Sequence, residues 1–466
     1  MSVPDLRTEY RTLDLGDSRR NIRAIQIIGM MQARPAASLP SLFADPSQLE
    51  GAYRLTNNEH VNYGDLLAPH ARETWGRASA GGLTLILHDT TGFEFPGEVL
   101  RDGLAEVGTR QGFFGHFAVA VPEGRSPVVH GVVAMHPYVI KDHGWWWTPD
   151  GKQFDELIVG SQRWSWAVKQ LRKAAPPDLR CIHVMDREGD DYVLFSQIAD
   201  LGDDFVIRSL HDRTDENRVS LTQAASAADF LLCREVFVGR RSSHGRKPKA
   251  IEIHPDRESR TAKLSCRGAT LQIKQPRHAV PIGKPTMSIN VVEVVEIMPP
   301  DGTVPVYWRL ITTLPVGTLE EVARVVDIYR KRWLIEVFFK ALKTGTDYEK
   351  RQATSLKSLL NMLALSIPNA WRILSLRALS RDDPTLPATE VVDALELHVL
   401  RQHVPAKMVP TEPTIRQVLL AVARLGGHLP SNGDPGWQTI GRGWEKLMTE
   451  VDGWRAALAW AQKDFK

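Results

Sequence analysis

Residues 181–210, with the sequence CIHVMDREGDDYVLFSQIADLGDDFVIRSL, carry the pattern that decides the fold. The first five residues are mostly apolar and include Ile182 and Val184, which predicts a buried strand that ends at Asp186. Residues 190–199 have helical spacing, and residues 204–210 form a second apolar run. This alternation of strand and helix predicts a mixed sheet that is flanked by helices.

Three more apolar runs precede this segment, at residues 83–88, 117–121 and 128–135, and residues 153–173 have helical periodicity. The element order is therefore β-β-β-α-β-α-β, which predicts an α/β fold. After Asp212 the helical signal disappears. Apolar runs of the β type at residues 250–253, 291–297 and 306–314 predict a β-rich insertion at about residues 213–317.

Helical patterns dominate both ends of the chain. Asp17 or Ser18 can cap a helix in which Ile22, Ile25 and Ile28 recur at helical spacing. Further helices are predicted at residues 352–379, 413–425 and 441–462. We therefore predict a helical domain at residues 1–75, an α/β domain with the insertion at residues 76–365, and a second helical domain at residues 366–466.

The composition is that of a globular protein, with 43% hydrophobic and 24% charged residues, which excludes a mainly disordered chain. No apolar run approaches the ~18–20 residues that span a bilayer, and the first residues lack the apolar core of a signal peptide. The three cysteines have no CxxC spacing, which predicts reduced thiols and no structural zinc site. We expect a cytoplasmic protein without a membrane partner.

Positive charge is concentrated in one segment. The net charge is only +3, yet residues 240–284 contain twelve Lys and Arg against three Asp and Glu. Such a segment can bind a polyanion, because phosphate contacts supply most of the sequence-independent affinity for nucleic acids. A solvated, Arg-rich β-hairpin region is the alternative, and charge alone does not separate the two.

Carboxylates follow two of the predicted strands, as Asp89 and Asp186. A side chain at a strand end lies at a sheet edge, where α/β sheets bind ligands. A single aspartate in this position more often caps a turn. Two such residues favour a shared site.

A helix predicted from Leu319 to about Lys343 adds a third carboxylate, Glu336, and opens with a capping box of Thr318 and Glu321. At ~100° per residue, polar side chains share one face and apolar side chains occupy the other. The polar face contains Tyr329, Arg332, Glu336, Lys340 and Lys343, and the apolar face contains Leu334, Ile335, Phe338 and Leu342. The alternative is a solvated face with ion pairs between residues four apart.

The spacing Tyr329-x2-Arg332-x3-Glu336-x6-Lys343, with Asp89 and Asp186 upstream, resembles the bacterial cut-and-paste DDE transposases of the insertion sequence 4 family, in particular its transposon-five type. The resemblance extends in the family's order over nearly the whole chain. Its segments are residues 15–20 (LGDSRR), 50–54 (EGAYR), 144–146 (GWW), 186–188 (DRE), 205–209 (FVIRS) and 423–427 (ARLGG). It implies a ribonuclease-H-like catalytic core, a helical N-terminal domain that binds transposon ends, and a helical C-terminal dimerisation domain.

The resemblance also implies the chemistry. Asp89, Asp186 and Glu336 would hold two Mg²⁺ ions, for which Mn²⁺ can substitute, because hard cations prefer oxygen ligands. The reaction would nick the transposon end, form and open a hairpin there, and join the 3′ end to target DNA. The partners would be double-stranded transposon ends, target DNA and a second copy of the chain in a synaptic complex, with a monomer in the free state and association with the nucleoid on DNA.

The DNA contacts implied by the resemblance fall in three groups. Tyr329, Arg332 and Lys343, with Lys340 on the same face, would grip phosphates near the cleavage point. Trp308 would stack on or wedge beside a flipped base, and Arg208 would contact DNA at a strand end. Arg20 and Arg23 would recognise the transposon end.

Other readings of the same residues stay open. A catalytically silent, transposase-derived DNA-binding regulator is the alternative function, although such a regulator has no need of three metal ligands. A glycosidase with two carboxylates does not account for the basic residues around Glu336. Glu188 is a further carboxylate beside Asp186, and His88 beside Asp89 belongs to no zinc-binding motif.

Overall fold

The computed structural model of the protein describes residues 5–124, 128–141, 145–147, 162–228, 232–240, 256–276 and 284–464. The described chain is mixed α/β, as predicted. It divides into two compact units. Unit 1 comprises Met1–Val159, Lys173–Leu179 and Trp333–Lys466, and unit 2 comprises Gly160–Arg172 and Arg180–Arg332.

The α-helices, in chain order, are α1 (Leu6–Glu9), α2 (Ser18–Ala33), α3 (Leu39–Leu42), α4 (Pro46–Asn57), α5 (Tyr63–Gly81), α6 (Gln162–Ala174), α7 (Tyr192–Asp200), α8 (Leu221–Ser226), α9 (Leu319–Lys331), α10 (Trp333–Lys340), α11 (Leu356–Asp382), α12 (Ala394–His403), α13 (Ile415–Leu425) and α14 (Trp437–Asp464). The strands are β1 (Thr84–Phe95), β2 (Ala105–Val107), β3 (Arg110–Pro122), β4 (Gly131–Lys141), β5 (Trp145–Trp147), β6 (Cys181–Met185), β7 (Asp204–Arg208), β8 (Leu232–Val238), β9 (Arg260–Lys274), β10 (Thr286–Glu296) and β11 (Tyr307–Thr312).

Unit 1 combines an antiparallel sheet with helices. Strand β3 lies between β1 and β4, β5 extends the sheet beyond β4, and β2 pairs with β3. Helix α11 contacts α2, α4, α5 and β4, so the helices from both ends of the chain pack around it. This packing buries one shared core that contains residues far apart in sequence.

Helix α11 is the one described helix that is long and apolar enough to span a membrane, and its apolar window is completely buried inside the protein. The sequence predicted this helix but no unbroken apolar run of that length, because Lys357, Asn361, Pro368 and Asn369 interrupt the apolar residues. The contacts of α11 with α4 and α5 identify it as the core helix of unit 1.

Unit 2 begins with the segment that opened the sequence analysis. Strand β6, helix α7 and strand β7 form as predicted, and β6 pairs with β7 in parallel, with Ile182 opposite Asp204. Strand β11 lies antiparallel to β7, and the order then continues through β10, β9 and β8, all antiparallel. Residues 153–161 of the predicted helix and the run at residues 250–253 lie outside the described residues.

The β-rich insertion also contains the short helix α8, where no helix was predicted. The α8 helix has a capping box in which Ser220 and Gln223 bond to each other's backbone N–H groups. Such a cap stabilises a helix that is too short to show periodicity in the sequence.

Two helices run across the predicted domain boundaries. Helix α5 continues through residue 75, and α11 continues through residue 365. The division into three domains stays a prediction, whereas the predicted helices at residues 352–379, 413–425 and 441–462 are confirmed as α11, α13 and α14.

Candidate active site and nucleic-acid interface

Asp89 lies in the middle of β1, and the prediction that it ends a strand is wrong. The β pattern continues past it because Thr90, Thr91 and Phe93 also favour strands, and Asp89 is paired with Phe117 of β3. The half-buried Asp89 side chain accepts a hydrogen bond from the backbone N–H of Thr90 through Oδ1, at 2.8 Å. The strand and this hydrogen bond together fix the direction of the carboxylate.

The neighbours of Asp89 along β1 point to the other side of the strand, because side chains alternate. There Thr90 Oγ1 lies 3.0 Å from His116 Nδ1, and His88 stacks on His116 with ring centroids 5.6 Å apart. Both histidines are buried. In the next strand, burial lowers the pKa of His136 to about 4. These histidines form part of the packed interior.

Asp186 directly follows β6, as predicted, and it also caps the turn that follows. Its Oδ1 accepts a hydrogen bond from the backbone N–H of Glu188 at 2.9 Å. The Glu188 side chain forms an ion pair with Arg163 of α6. The capping interpretation and the strand-end interpretation are therefore both correct for Asp186.

Asp190, which the sequence analysis did not single out, organises this end of unit 2. Its Oδ2 accepts hydrogen bonds from the backbone N–H groups of Leu210 and His211, at 2.6 and 2.8 Å. Its Oδ1 pairs with Arg213 at 2.7 Å, and the Asp190 side chain is completely buried. Asp190 thereby joins the turn that starts at Asp186 to the loop that follows Arg208. An acidic run directly after a strand was the only sequence signal for it.

The segment that was predicted as one helix from Leu319 to Lys343 is not continuous. The capping box of Thr318 and Glu321 is confirmed, but α9 ends at Lys331, α10 begins at Trp333, and a π-helical turn follows at Ala341–Gly345. Arg332 donates its backbone N–H to the Tyr329 carbonyl at 3.0 Å, a tighter spacing than in an α-helix. The prediction of two faces assumed ~100° per residue throughout, which does not hold over an interrupted segment. Ile335, Phe338 and Leu342 are nevertheless buried, as predicted.

In unit 2, four of the predicted DNA contacts form one cluster, in which Arg208, Arg332 and Trp308 surround Tyr329. Tyr329 is 6% exposed, and burial raises the pKa of its phenol, while the adjacent Arg332 and Arg208 guanidinium groups oppose this rise. Tyr329 hydrogen-bonds with both arginines. The half-buried Trp308 meets the Tyr329 ring at its edge, with centroids 5.4 Å apart.

Arg208 ends β7 and is itself held in place. Burial lowers the pKa of its guanidinium, and the nearby positive charges of Arg187 and Arg332 act in the same direction. Arg208 Nη2 donates a hydrogen bond to the Tyr307 carbonyl at 2.9 Å. The carboxylate of Asp186 is close enough to influence the pKa of Tyr329. The cluster thus places cationic groups and an indole near Asp186.

In unit 1, Glu336 is half-buried on α10, and the two lysines that follow have different environments. Lys340 is exposed, and its Nζ lies 5.6 Å from the centre of the Trp333 ring. Lys343 Nζ donates to the Gly92 carbonyl and lies 3.4 Å from Glu349 Oε1. Lys343 therefore connects the turn after α10 to β1, the strand that carries Asp89.

The three predicted metal ligands are divided between the units, with Asp89 and Glu336 in unit 1 and Asp186 in unit 2. Over the described ranges, no group of three His, Cys, Asp or Glu side chains that could hold a metal ion is found. The carboxylate oxygens themselves are the ligands that Mg²⁺ prefers. The metal set stays a prediction.

The N-terminal arginines lie on α2, which Asp17 caps as predicted. Arg20 Nη1 donates to the Leu15 carbonyl at 3.2 Å, and Arg23 Nη1 donates to Gln26 Oε1 at 3.2 Å. A Cβ atom at Gly51 of α4 would lie 2.9 Å from Arg23 Cζ. Gly51, which lies in the EGAYR segment that carries the resemblance, therefore leaves room for the Arg23 guanidinium of α2.

The helix predicted from the spacing of the isoleucines is confirmed as α2, and the burial of its side chains shows which face packs. Ile22 is 66% exposed, whereas Ala24, Ile27, Ile28 and Met31 are buried. The spacing of Ile22, Ile25 and Ile28 fits a helix, but Ile27 and Met31 define the stripe that packs.

Most of the described basic residues in the segment 240–284 form intramolecular contacts. Five of its seven described basic residues contact oxygen atoms of the same chain: Arg240 (Glu258), Arg257 (the Gly239 carbonyl), Arg260 (Glu296), Arg267 (the Ser226 carbonyl) and Lys284 (Asp200). Lys263 and Lys274 are exposed on β9. Arg241, Arg246, Lys247, Lys249 and Arg277 lie outside the described residues.

In unit 2, the Asp186 carboxylate thus lies near two arginines and an aromatic pair, groups that suit a nucleic-acid phosphate and a base. Two family models match the chain: Transposase DNA-binding over residues 6–61 and Transposase DDE domain over residues 166–367. The chain thus carries the DNA-binding and DDE domains of a DNA transposase, and the DDE domain identifies the core as ribonuclease-H-like, as predicted.

The matched ranges divide the predicted site residues. Arg20 and Arg23 fall within the DNA-binding match. Asp186, Glu336 and the cluster around Tyr329 fall within the DDE match. Asp89 precedes that match, so its assignment depends on the sequence spacing and on its position in β1.

Proposed function

We propose that this protein is an active transposase of the insertion sequence 4 family, of the transposon-five type. It binds the ends of its element, cuts them by two-metal hydrolysis through a hairpin intermediate, and joins the 3′ ends to target DNA. The observation that carries this proposal is the cluster of Tyr329, Arg208, Arg332 and Trp308 close to Asp186. A DNA-binding domain and a DDE domain in the same chain support it.

The proposed ligands of two Mg²⁺ or Mn²⁺ ions are Asp89, Asp186 and Glu336. When bound, such ions activate a hydroxyl group for attack on a phosphodiester and stabilise the leaving oxygen. In Asp89 and Asp186, one oxygen accepts a backbone N–H. This hydrogen bond orients the carboxylate, so the direction of its second oxygen is fixed relative to the strand.

The cluster around Tyr329 is proposed to hold the DNA strand. Arg208 and Arg332 supply guanidinium groups that match the oxygens of a phosphate, and the buried Tyr329 hydroxyl holds the two groups apart in a fixed arrangement. Because the positive charge of Arg332 lowers the pKa of Arg208, an incoming phosphate would relieve the repulsion between the two guanidinium groups.

A hairpin intermediate requires a distorted DNA end, and Trp308 is proposed to stabilise that distortion. The half-buried indole contacts Tyr329 edge-on, so its position is fixed by the same tyrosine that orders the arginines. Stacking on an unpaired base is worth about 1–3 kcal/mol, which is comparable with the few kcal/mol that unstacking costs.

Arg20 and Arg23 are proposed to recognise the transposon end, and Lys340 and Lys343 to contact phosphates near the cut. We further propose a homodimer in the synaptic complex, a monomer in the free state, and a cytoplasmic location. These proposals follow from the family resemblance, and the exposed Lys340 side chain supports its part in them.

Cleavage of DNA that carries the terminal inverted repeats of the element tests the proposal. With Mg²⁺ or Mn²⁺, the wild type should nick the end and yield a hairpin that a denaturing gel resolves. Glu336→Gln should abolish both products. Glu188→Gln is the matched control, because Glu188 pairs with Arg163, and this variant should cleave like the wild type.

The regulator alternative gives a different result. A catalytically silent regulator would bind the same ends without metal-dependent cleavage, and Glu336→Gln would then be indistinguishable from the wild type. Equal cleavage by the wild type and Glu336→Gln would likewise refute the proposed triad.

A further inference from the structure

An arginine cluster lies in the C-terminal part of unit 1, away in sequence from every residue assigned so far. Arg377 and Arg381 are one turn apart on α11, and Arg416 lies in the first turn of α13. Asp434, in the loop before α14, bridges two of them: Oδ1 lies 2.5 Å from Arg416 Nη2, and Oδ2 lies 2.5 Å from Arg381 Nη2. Three guanidinium groups around one carboxylate leave a net charge of +2.

The hydrogen-bonding capacity of the cluster is not filled. Arg377 Nε and Arg416 Nη1 are buried, and neither has a hydrogen-bond partner among the described residues. A buried guanidinium N–H without an acceptor is costly. Arg377 is also held rigidly, with its guanidinium carbon 4.4 Å from the centre of the Trp437 ring. The cluster therefore has donors in fixed positions for which the described part of the chain provides no acceptor.

The charges in the cluster act on one another. Burial, together with the neighbouring positive charges of Arg381 and Arg416, lowers the pKa of the Arg377 guanidinium to about 10. Conversely, the hydrogen bond from Arg416, with Arg381 adding to it, lowers the pKa of Asp434. A single carboxylate does not neutralise the site, which remains attractive to a second anion.

We propose that Arg377, Arg381 and Arg416 form a phosphate-binding site for the DNA backbone, in which the Asp434 carboxylate occupies the place of a phosphate when DNA is absent. A phosphodiester presents two anionic oxygens, as Asp434 does, and guanidinium groups bind such pairs well. Arg381 and Asp434 are exposed, so a phosphate can reach them. The proposal takes from the proposed function only that the protein handles DNA.

The site is proposed to be independent of base sequence, because it offers only charge and N–H donors to a phosphate. Binding is therefore measured with a short fluorescent duplex of arbitrary sequence, by anisotropy at several NaCl concentrations. Arg381→Ala should lower the slope of log K against log salt by about 1. Arg442→Ala, which removes an exposed arginine of the neighbouring α14, should leave the slope unchanged.

Asp434→Asn gives the decisive result, because it changes the outcome in the opposite direction. If Asp434 competes with a phosphate, its neutralisation should tighten binding about fivefold, the effect of one unit charge a few ångströms away in water. If Asp434 is only a structural partner of two arginines, this variant loses thermal stability and gains no affinity. Circular dichroism melting of each variant separates unfolding from lost contacts.

Parallel cleavage assays keep the two proposals apart. If the wild type cleaves transposon ends but Arg381→Ala and Arg442→Ala have equal salt slopes, the phosphate site is refuted and the proposed function stands. Slope and affinity changes as expected, without end cleavage, support this site and refute the proposed function. A wild type that does not bind the duplex refutes both.

Discussion

The substitution Asp190→Asn tests how unit 2 orders the turn after Asp186. The Asp190 side chain is completely buried and pairs with Arg213, which is 12% exposed, at 2.7 Å. Its Oδ2 accepts from Leu210, His211 and Ser209, at 2.6, 2.8 and 3.2 Å. An asparagine of the same size has only one acceptor oxygen. In either orientation its NH₂ group, itself a donor, must therefore face other donors: the Arg213 guanidinium on one side, or the three groups that donate to Oδ2 on the other.

The expected loss follows from this geometry. Removing one partner of a buried ion pair costs about 3–5 kcal/mol, because the other charge stays buried without compensation. Asp190→Asn should therefore lower the free energy of unfolding of the protein by about that amount. It should also reduce end cleavage, because the loop that follows Arg208 loses its anchor. Urea unfolding followed by circular dichroism measures the first effect, with the denaturant slope showing whether the transition is unchanged.

Asp191→Asn is the matched control, since it makes the same chemical change at the next residue. Asp191 caps α7 through the backbone N–H groups of Val193 and Leu194, at 2.8 and 3.1 Å. Asparagine is nearly as good an N-cap as aspartate, so the change should stay within about 0.5 kcal/mol. Equal losses in the two variants would refute the role given to Asp190.

Three further predictions concern other parts of the chain. Of the three thiols, Cys233 is exposed, whereas burial raises the pKa of Cys181 to about 12 and of Cys266 to about 11; a thiol reagent at neutral pH should modify one cysteine rapidly, and Cys233→Ser should remove that fast phase. The hydrogen bond from Arg260 lowers the pKa of Glu296. The ionised Glu296 therefore stabilises the fold above the pKa of an unfolded glutamate, about 4.3, and this stabilisation is lost as the pH falls through the lower pKa of the folded state. The free energy of unfolding of Glu296→Gln should consequently depend less on pH in the acid range than that of the wild type. Gly51→Ala should displace the Arg23 guanidinium and weaken binding of transposon ends about as much as Arg23→Ala, with no further loss in the double variant, and additive losses would contradict this coupling.

The elements that the sequence predicted well are those with strong local patterns. The apolar run at Cys181–Met185 is completely buried. Helix α7 follows it and leads to β7, which pairs with β6 in parallel, the usual arrangement for a strand, a helix and a second strand in succession. Asp89 was misplaced because aspartate is rare in strands, so its position in the middle of β1 depends on pairing with β3, which lies more than twenty residues away. Local propensity contains no information about such a partner.

Charge patterns had the same weakness. Twelve basic residues in one segment favoured a polyanion surface, yet Arg260 pairs with Glu296 across two strands, and Arg267 caps the end of α8 at the Ser226 carbonyl. The sequence shows how many charges a segment carries, but their partners are set by tertiary contacts. Conversely, Arg377, Arg381, Arg416 and Asp434 lie too far apart in sequence to suggest a cluster.

The residues that carry chemistry and the residues that position them therefore differ in how they are recognised. The proposed site residues Asp186, Glu336, Tyr329 and Arg332 were recognised from the strand pattern before Asp186 and from the spacing along the predicted helix, both of which are visible in the sequence. Asp190, Gly51 and Glu349 act through contacts distant in sequence: Asp190 on the loop after Arg208, Gly51 on Arg23, and Glu349 on Lys343 and on the Glu94 N–H of β1 at 3.0 Å. Substitutions at these positions remove none of the proposed catalytic or DNA-contacting side chains and change only where those side chains lie. Since a displacement of about 1 Å is enough to slow catalysis by about 10²-fold, such variants should lose cleavage while keeping non-specific DNA binding, whereas loss of an exposed phosphate contact should have the opposite effect.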